Sequence, residues 1–214
     1  MTLLSAKNLS KSFSDGGKAE HILIDQSFDV SAGETVSIIG DSGAGKSTFL
    51  NLLAGIDSRK DEGKIDYGQL EFGKDIGFVF QTSFLLSHFN VRYNVGLPLR
   101  VLGLDEHMIN NKVDKMLESV GLKDKANRTS DQISGGQQRR VVVAHRPRIV
   151  FADEPTGGLD SGTAEKIEEL LFELCAESNS ALVYVTHDKL FANKAQRKYK
   201  LKDGIVLNRA NHAC

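Results

Sequence analysis

The sequence contains no tryptophan, only three prolines and only two cysteines among its 214 residues. Cys175 and Cys214 show neither a paired spacing nor a metal-ligand pattern, so we expect reduced thiols, as in a cytosolic protein, rather than a disulfide scaffold or a zinc site. No run approaches the roughly 18 apolar residues that a membrane-spanning helix needs. Residues 1–11 lack the apolar core of a signal peptide, so we expect none to be present.

An excess of charge of either sign is also missing, because the formal net charge is −1. A near-neutral chain produces no overall field that favours nucleic acid or an anionic membrane, and we therefore expect no nucleic-acid partner. Its 40% hydrophobic and 26% charged residues are ordinary values for a globular protein. The length suits one domain with a substantial core.

The residue pattern changes from strand-like to helical and back along the chain. Period-two segments predict antiparallel strands at 3–8 and 22–30, and a β-branched run predicts a buried strand at 34–39. Apolar spacing predicts helices at 46–54, 91–99 and 105–120, the last stopped by Gly121. The final third predicts a strand at 148–152, a helix at 161–177, a strand at 181–186, a short helix near Leu190 and a hairpin. This order predicts a parallel α/β core that carries a helical subdomain.

A phosphate-binding loop follows the strand at 34–39. Glycines let backbone N–H groups turn toward phosphate oxygens, and the next helix presents its positive end to the same anion. The lysine supplies a charge to the β- and γ-phosphates, and the serine after it offers a hydroxyl to Mg²⁺. The nucleotide-binding candidates are Gly40, Ser42, Gly43, Ala44, Gly45, Lys46, Ser47 and Thr48.

A second acidic element follows the apolar strand at 148–152. Asp153 and Glu154 lie where a parallel sheet presents the carboxyl ends of its strands, which is where open α/β proteins bind ligands. We expect Asp153 to reach Mg²⁺ through water and Glu154 to orient or deprotonate the attacking water. Small-molecule kinases and GTPases share a P-loop and such an acid, so these two motifs alone leave the class of enzyme open.

The segment Ile133–Arg140 separates these classes. Ser134, Gly135 and Gly136 open a predicted helix, with Gln137 next, and this forms a second anion-binding helix N-terminus. One nucleotide does not readily need two such cradles within one chain. A head-to-tail homodimer solves this, because each P-loop then holds an ATP that the partner's Ser134, Gly135 and Gly136 cover.

The order of these motifs resembles the ABC ATPase family along nearly the whole chain. The resemblance implies a single domain, 1–214, with an α/β P-loop NTPase core of mixed and parallel sheet and an N-terminal antiparallel β subdomain. Residues 1–80 and 148–214 would form that core, and residues 82–146 the helical signature subdomain. ATP and Mg²⁺ would be the ligands.

The resemblance also implies roles for individual residues. Phe13 would stack on adenine, and His187 would hydrogen-bond the γ-phosphate. Gln81 would sense Mg²⁺ and the γ-phosphate while linking the site to a membrane partner, and Asp160 would organise the dimer interface. The metal contacts would come from Ser47, Gln81 and Asp153.

Within the family, the segments 81–99 and 152–157 look like the branch that serves lipoprotein release, macrolide export and bacitracin resistance. This implies an ATPase on the cytoplasmic, inner face of the cell membrane that powers transport or extraction through a separate integral membrane permease. Two alternatives remain: an ATP-driven regulator or mechanical transmitter that moves no substrate, and a DNA-maintenance ATPase, which the missing coiled coil and the low net charge disfavour. Exposed apolar residues at 84–86 and 89 would form the surface that contacts the partner, although core burial explains them as well.

Two stretches, 69–75 and 140–147, are shorter than the family pattern. Either residues of the native protein are absent from this chain, or the deletion is real. A real deletion within a packed helix removes buried contacts and shifts its register. It would therefore disturb the coupling between the signature segment and the acidic strand.

Overall fold

The chain folds into two sheets with helices packed around them. The computed structural model describes residues 1–15, 18–72, 74–80, 85–101 and 103–208. The strands are β1 (Thr2–Asp15), β2 (Lys18–Ser31), β3 (Thr35–Ile39), β4 (Glu62–Asp66), β5 (Ile76–Val79), β6 (Ile149–Asp153), β7 (Ala181–Thr186), β8 (Arg197–Lys202) and β9 (Ile205–Asn208). The helices are α1 (Lys46–Leu53), α2 (Val91–Val101), α3 (Glu106–Ser119), α4 (Gly135–Val143), α5 (Ser161–Glu177) and α6 (Lys189–Asn193).

The larger sheet has six strands in the order β5-β6-β7-β3-β8-β9. All neighbours run parallel except β8 and β9, which form an antiparallel hairpin. In β7 every residue from Ala181 to Thr186 is buried, as expected for a strand that is covered on both faces. The smaller sheet is antiparallel, with the order β2-β1-β4.

Three hydrophobic clusters fill the structure. The largest joins the antiparallel sheet, α1 and one face of the six-stranded sheet. A second lies under α5 on the opposite face, around the stacked rings of Tyr184 and Phe191. The third joins α2, α3 and α4 around residues such as Val95, Val113 and Val141. This third cluster is the core of the segment that the sequence marks as helical. The subdomain limits at residues 80–82 and 146–148 remain a prediction.

The observed elements correct several predicted boundaries. The first two strands are much longer than 3–8 and 22–30, because β1 and β2 pair as a long ribbon with register shifts that period-two counting reads as breaks. Strand β4 was not predicted, since its residues are mostly exposed and show no apolar alternation. The helix stop at Gly121 is confirmed by its positive φ of 66°. α5 and β7 have the predicted bounds.

The short stretch after the signature helix still reaches the sheet. Helix α4 ends at Val143, the backbone turns through Arg146 at φ 52°, and β6 begins at Ile149. The approach is close, because a Cβ added to Gly77 of β5 would lie 2.9 Å from Pro147. Two buried polar atoms in this region, Nε of Arg140 and Nε2 of His145, have no hydrogen-bond partner among the described residues. Unpartnered buried polar atoms cost free energy of folding.

Among the described residues, no helix is long and apolar enough to cross a membrane.

We expect the half-buried His145 to make the free energy of unfolding depend on pH. Burial lowers the pKa of His145 below its usual value of 6.5, against the opposing effects of the carbonyls of Ile76 and Val142 and the nearby Asp75 carboxylate. Below about pH 6.5 the unfolded chain therefore takes up a proton at this residue before the folded chain does. We predict that stability falls as the pH drops through this range, by up to about 1.4 kcal/mol per pH unit.

His145→Gln removes the titrating ring, so the urea midpoints at pH 7.5 and pH 5.5 should move closer together than in the unchanged protein. His107→Gln, which changes an exposed histidine of α3, is the matched control and should leave the difference as it was. An unaltered difference in His145→Gln would contradict the prediction.

Candidate functional site

The phosphate-binding loop connects β3 to α1. Gly43 and Gly45 have φ values of 79° and 90°, which residues with a side chain adopt only at a cost. A Cβ at Gly45 would lie 2.6 Å from the Ile22 side chain of β2, so the hairpin is packed directly behind the loop. No side chain caps α1 at Gly45, which leaves the first N–H groups of the helix available to an anion.

The Lys46 ammonium group lies inside this loop. It donates hydrogen bonds of 3.0 Å to the carbonyl oxygens of Gly40 and Asp41, and its side chain is only 8% exposed. It also lies 3.9 Å from Oε1 of Glu154. A buried ammonium whose partners are mainly carbonyls is suited to bind the oxygens of a polyphosphate.

Two oxygen groups meet where β3 and β6 end. The Ser47 hydroxyl donates a 2.9 Å hydrogen bond to Oδ1 of Asp153. Burial raises the pKa of Asp153, the Ser47 hydrogen bond opposes that shift, and the neighbouring Glu154 carboxylate adds to it. A hydroxyl and a partly buried carboxylate are hard oxygen ligands of the kind that Mg²⁺ prefers. The residues therefore fit the metal that the sequence predicts.

Contacts from the residue that follows β7 hold the Glu154 side chain in place. Its Oε2 accepts a 2.7 Å hydrogen bond from Nδ1 of His187, which follows β7, and a longer one from the His187 backbone N–H. The Glu154 backbone has a φ of 43°, a left-handed conformation that costs about 1–3 kcal/mol in a residue other than glycine. Its N–H donates to the carbonyl of Val185, and its carbonyl accepts from the N–H of Gly157. These bonds hold the strained residue in place.

The signature residues form a separate anion-binding helix end. The Ser134 side chain accepts from the N–H of Gln137, and the Gln137 side chain accepts from the N–H of Ser134, which together make a capping box at the start of α4. Gly135 is exposed, and Gly136 packs closely on α5, where an added Cβ would lie 3.1 Å from Ile167. Asp160 caps α5 by accepting from the N–H of Thr163. Hydrogen bonds from the Thr163 side chain and then from its backbone N–H lower the pKa of Asp160.

The site residues thus fall into two groups. The structure brings Lys46, Ser47, Asp153, Glu154 and His187 together at the carboxyl ends of three strands. Among the described residues, no hydrogen bond or ion pair joins them to the signature residues or to Asp160. Within the described part of one chain, the phosphate cradle with its acids and the capped start of α4 are therefore not joined by a hydrogen bond or ion pair.

The other predicted residues lie around this cluster. Phe13 on β1 is 43% exposed, and the Lys11 ammonium lies 4.9 Å from its ring centroid. Gln81 falls outside the residues that the structure describes, as does Phe84. Leu86 and Phe89 are exposed; Leu85 instead packs against the helical cluster. Ser42 is exposed in the loop, and Ala44 and Thr48 are half-buried.

Sequence reasoning missed a polar cavity beside the P-loop. The cavity measures about 270 Å³ and lies between residues 41–44, residues 20–22 of β2 and the turn at 202–204. Glu20 and His21 line it, although neither belongs to a recognisable motif. The packing of β2 on the P-loop and on the β8–β9 turn places them there, and a sequence pattern shows no such long-range contact.

Comparison with known proteins identifies the class. The ABC transporter family model matches residues 23–157, and the chain belongs to that family. The lipoprotein-releasing system ATP-binding protein LolD of Bdellovibrio bacteriovorus is 41% identical over 217 residues, covering 94% of this chain and 98% of that protein. LolD of Idiomarina loihiensis is 38% identical over 220 residues, covering 95% and 96%.

Solved structures agree with this assignment. A dimer of the ATP-binding cassette MJ0796 in a post-hydrolysis state bound to ADP and Pi is 34% identical, with a TM-score of 0.77 and 95% of this chain and 96% of that one covered. A second dimeric MJ0796 structure, described as a bacterial ABC transporter cassette, is 35% identical with a TM-score of 0.78, at the same coverage. The predicted fold class, the ATPase activity and the resemblance to the lipoprotein-release branch are confirmed.

The alignments bear on the short stretches. The alignment with the Bdellovibrio protein spans 217 positions, whereas 94% of this 214-residue chain is only about 201 residues. That relative therefore has positions at which this chain has no residue.

Replacing Lys46 should weaken ATP binding by about 10- to 100-fold, because hydrogen bonds to charged groups contribute about 1.5–3 kcal/mol and each 1.4 kcal/mol changes affinity tenfold. Isothermal titration calorimetry of Lys46→Ala with ATP and Mg²⁺ measures the change. The control is Lys189→Ala, an exposed lysine at the start of α6, which should bind as the unchanged protein does. Equal affinities for Lys46→Ala and the unchanged protein would show that this ammonium does not hold the phosphates.

Proposed function

We propose that this chain hydrolyses ATP in a two-chain sandwich and uses the cycle to drive lipoprotein release through a separate membrane permease. The observation that carries the proposal is that no described hydrogen bond or ion pair joins two elements suited to bind an anion. Lys46, Ser47, Asp153, Glu154 and His187 form one of them, and the capped N-terminus of α4 is the other. A second copy of the chain would bring the two elements together across one nucleotide.

The cluster supports in-line attack of water on the γ-phosphate. Lys46 would move part of its hydrogen bonding from the loop carbonyls to phosphate oxygens. Glu154 would take a proton from a water molecule while the oxygen of that water attacks the γ-phosphorus. At the same time the bond from the γ-phosphorus to the β–γ bridging oxygen would break, and ADP would leave. The ionised carboxylate can only accept hydrogen bonds, so His187 donates from Nδ1 and holds the base in position.

Ser47 and Asp153 would hold Mg²⁺ beside the phosphates. When bound, that ion neutralises charge that develops on the β- and γ-phosphate oxygens. The raised pKa of Asp153 comes mainly from burial, and a nearby divalent cation favours the ionised carboxylate. With Gln81 as the third predicted metal contact, these few protein groups would leave coordination positions for water and phosphate, as Mg²⁺ requires.

The partner's signature segment would complete the site. The capped start of α4 presents backbone N–H groups and the positive end of a helix dipole. Asp160, at the start of α5, would organise the interface between the two copies. MJ0796, which is similar to this chain, forms dimers, and this supports the same arrangement here.

The permease contact would lie near Gln81 and the apolar residues that follow it. Leu86 and Phe89 are exposed, and the Phe89 ring stacks on Tyr93 of α2 with 4.0 Å between centroids. An exposed, supported aromatic ring suits a contact with a helix of a partner. Such a partner would hold the chain at the inner face of the cell membrane. The LolD relatives are named for lipoprotein release, which favours this function over a transmitter that moves no substrate.

Glu154→Gln should reduce ATP hydrolysis by at least about 100-fold, because general bases contribute about 10²–10⁴ to the rate. The amide keeps the shape of the side chain, so ATP should still bind, and the variant should accumulate as an ATP-bound dimer. Phosphate release and light scattering measure the two effects.

Glu173→Gln, which changes an exposed glutamate of α5, serves as the control and should retain both the hydrolysis rate and the monomer–dimer behaviour. If Glu154→Gln hydrolyses ATP at the normal rate, Glu154 is not the base. If it binds ATP and remains monomeric, the two-chain sandwich is wrong.

A further inference from the structure

The polar cavity beside the P-loop is lined by acidic side chains that the catalytic cluster does not use, those of Glu20, Asp41 and Asp203. Glu20 of β2 lines this cavity together with Ser42 and Gly43 of the P-loop and Lys202 of the β8–β9 turn. The Glu20 side chain is exposed. It has neither a hydrogen bond nor an ion pair with any side chain that the structure describes. Within the described part of the chain, no contact accounts for a carboxylate at this position.

The register of the hairpin places Glu20 beside Phe13. The two residues are direct cross-strand partners in the antiparallel pairing of β1 with β2. Directly opposed residues project to the same face, with Cβ atoms about 4.5–5.5 Å apart. The carboxylate therefore stands next to the Phe13 ring, on the side of the hairpin where that ring is open to solvent.

The hairpin is also anchored to the phosphate loop. Ile22, two residues after Glu20, packs on Gly45, where an added Cβ would lie 2.6 Å from its side chain. A nucleotide with its phosphates in the loop and its base on Phe13 must pass its sugar along the short stretch between Ile22 and Phe13. Glu20 is the acidic side chain on that stretch that shares a face with the ring. The Lys11 ammonium also lies near the ring, but it is engaged by the Arg59 carbonyl and the Asp57 carboxylate.

We propose that the Glu20 carboxylate accepts a hydrogen bond from a ribose hydroxyl of the bound nucleotide and makes this ATPase selective for ribonucleotides over deoxyribonucleotides. The proposal rests on the proposed function, because it takes the phosphates and base to bind as described there. A carboxylate is a strong acceptor for the two vicinal hydroxyls of ribose, and acidic side chains recognise the sugar of dinucleotides in the same way. Repulsion between Glu20 and the phosphates is weakened by water, since the side chain is exposed.

Nucleotides that lack one ribose hydroxyl test the predicted hydrogen bond to Glu20. ATP, 2′-deoxyATP and 3′-deoxyATP are each used to displace a fluorescent ATP analogue from the purified protein in the presence of Mg²⁺, so that the readout does not depend on hydrolysis. In the unchanged protein we expect at least one deoxynucleotide to bind about tenfold more weakly than ATP, as loss of a hydrogen bond to a charged group requires. The nucleotide that loses affinity identifies the hydroxyl.

Substitutions at Glu20 should remove this selectivity. In Glu20→Val the ratio of deoxyATP to ATP dissociation constants should fall to about one, and Glu20→Gln, which keeps an acceptor oxygen, should give an intermediate ratio. Glu62→Val, an exposed strand glutamate of β4, is the matched control and should keep the ratio of the unchanged protein.

Two results would overturn the inference. The first is a ratio of one in the unchanged protein, and the second is an unaltered ratio in Glu20→Val. Either result, obtained with a protein that still binds ATP, removes the role of Glu20 and leaves the proposed ATPase function intact. Failure of the unchanged protein to bind ATP at all would instead overturn the proposed function, and this inference with it.

Discussion

Parallel pairing among β6, β7 and β3 brings the chemical groups of this protein together. The strands lie next to one another in that order, and their carboxyl ends align, with Asp153 opposite Val185 and Ile39 opposite Thr186. Lys46 and Ser47 come just after β3, Asp153 and Glu154 end β6, and His187 follows β7. Groups separated by more than a hundred residues thereby come within hydrogen-bond distance, and burial of both sheet faces keeps them there.

The strained backbone of the cluster is at Glu154, the residue expected to act as the base. Glu154 adopts a left-handed backbone, and its side chain is held between the Lys46 ammonium and the His187 ring. Neither contact alone would compel such a conformation. The backbone bonds to Val185 and Gly157 add to them, so the surrounding structure imposes the orientation of the carboxylate. A base that is fixed before its substrate arrives needs little rearrangement during the reaction.

The helical segment differs from this well-bonded cluster, because it buries polar atoms that have no described hydrogen-bond partner. Its core is well formed, yet α4 is followed by a tight turn at Arg146, and polar atoms of Arg140 and His145 are buried without partners. The signature residues at the start of α4 keep their capping box. The tight turn therefore lies at the end of α4 that faces the sheet, while the end that would meet a partner's nucleotide keeps its capping box.

The sequence correctly predicted the elements whose signals are local. The P-loop, the acids after β6, the capped start of α4 and the stop at Gly121 each depend on neighbouring residues, whose backbone preferences and hydrogen bonds act within a few positions. It also predicted the class of protein, since the motifs occur in a specific order. The contacts between these side chains, in contrast, became visible in the folded chain. The His187–Glu154 contact, strand β4, the placement of Glu20 beside Phe13 and the burial of His145 all depend on strand register and packing between distant segments, which a local pattern does not encode.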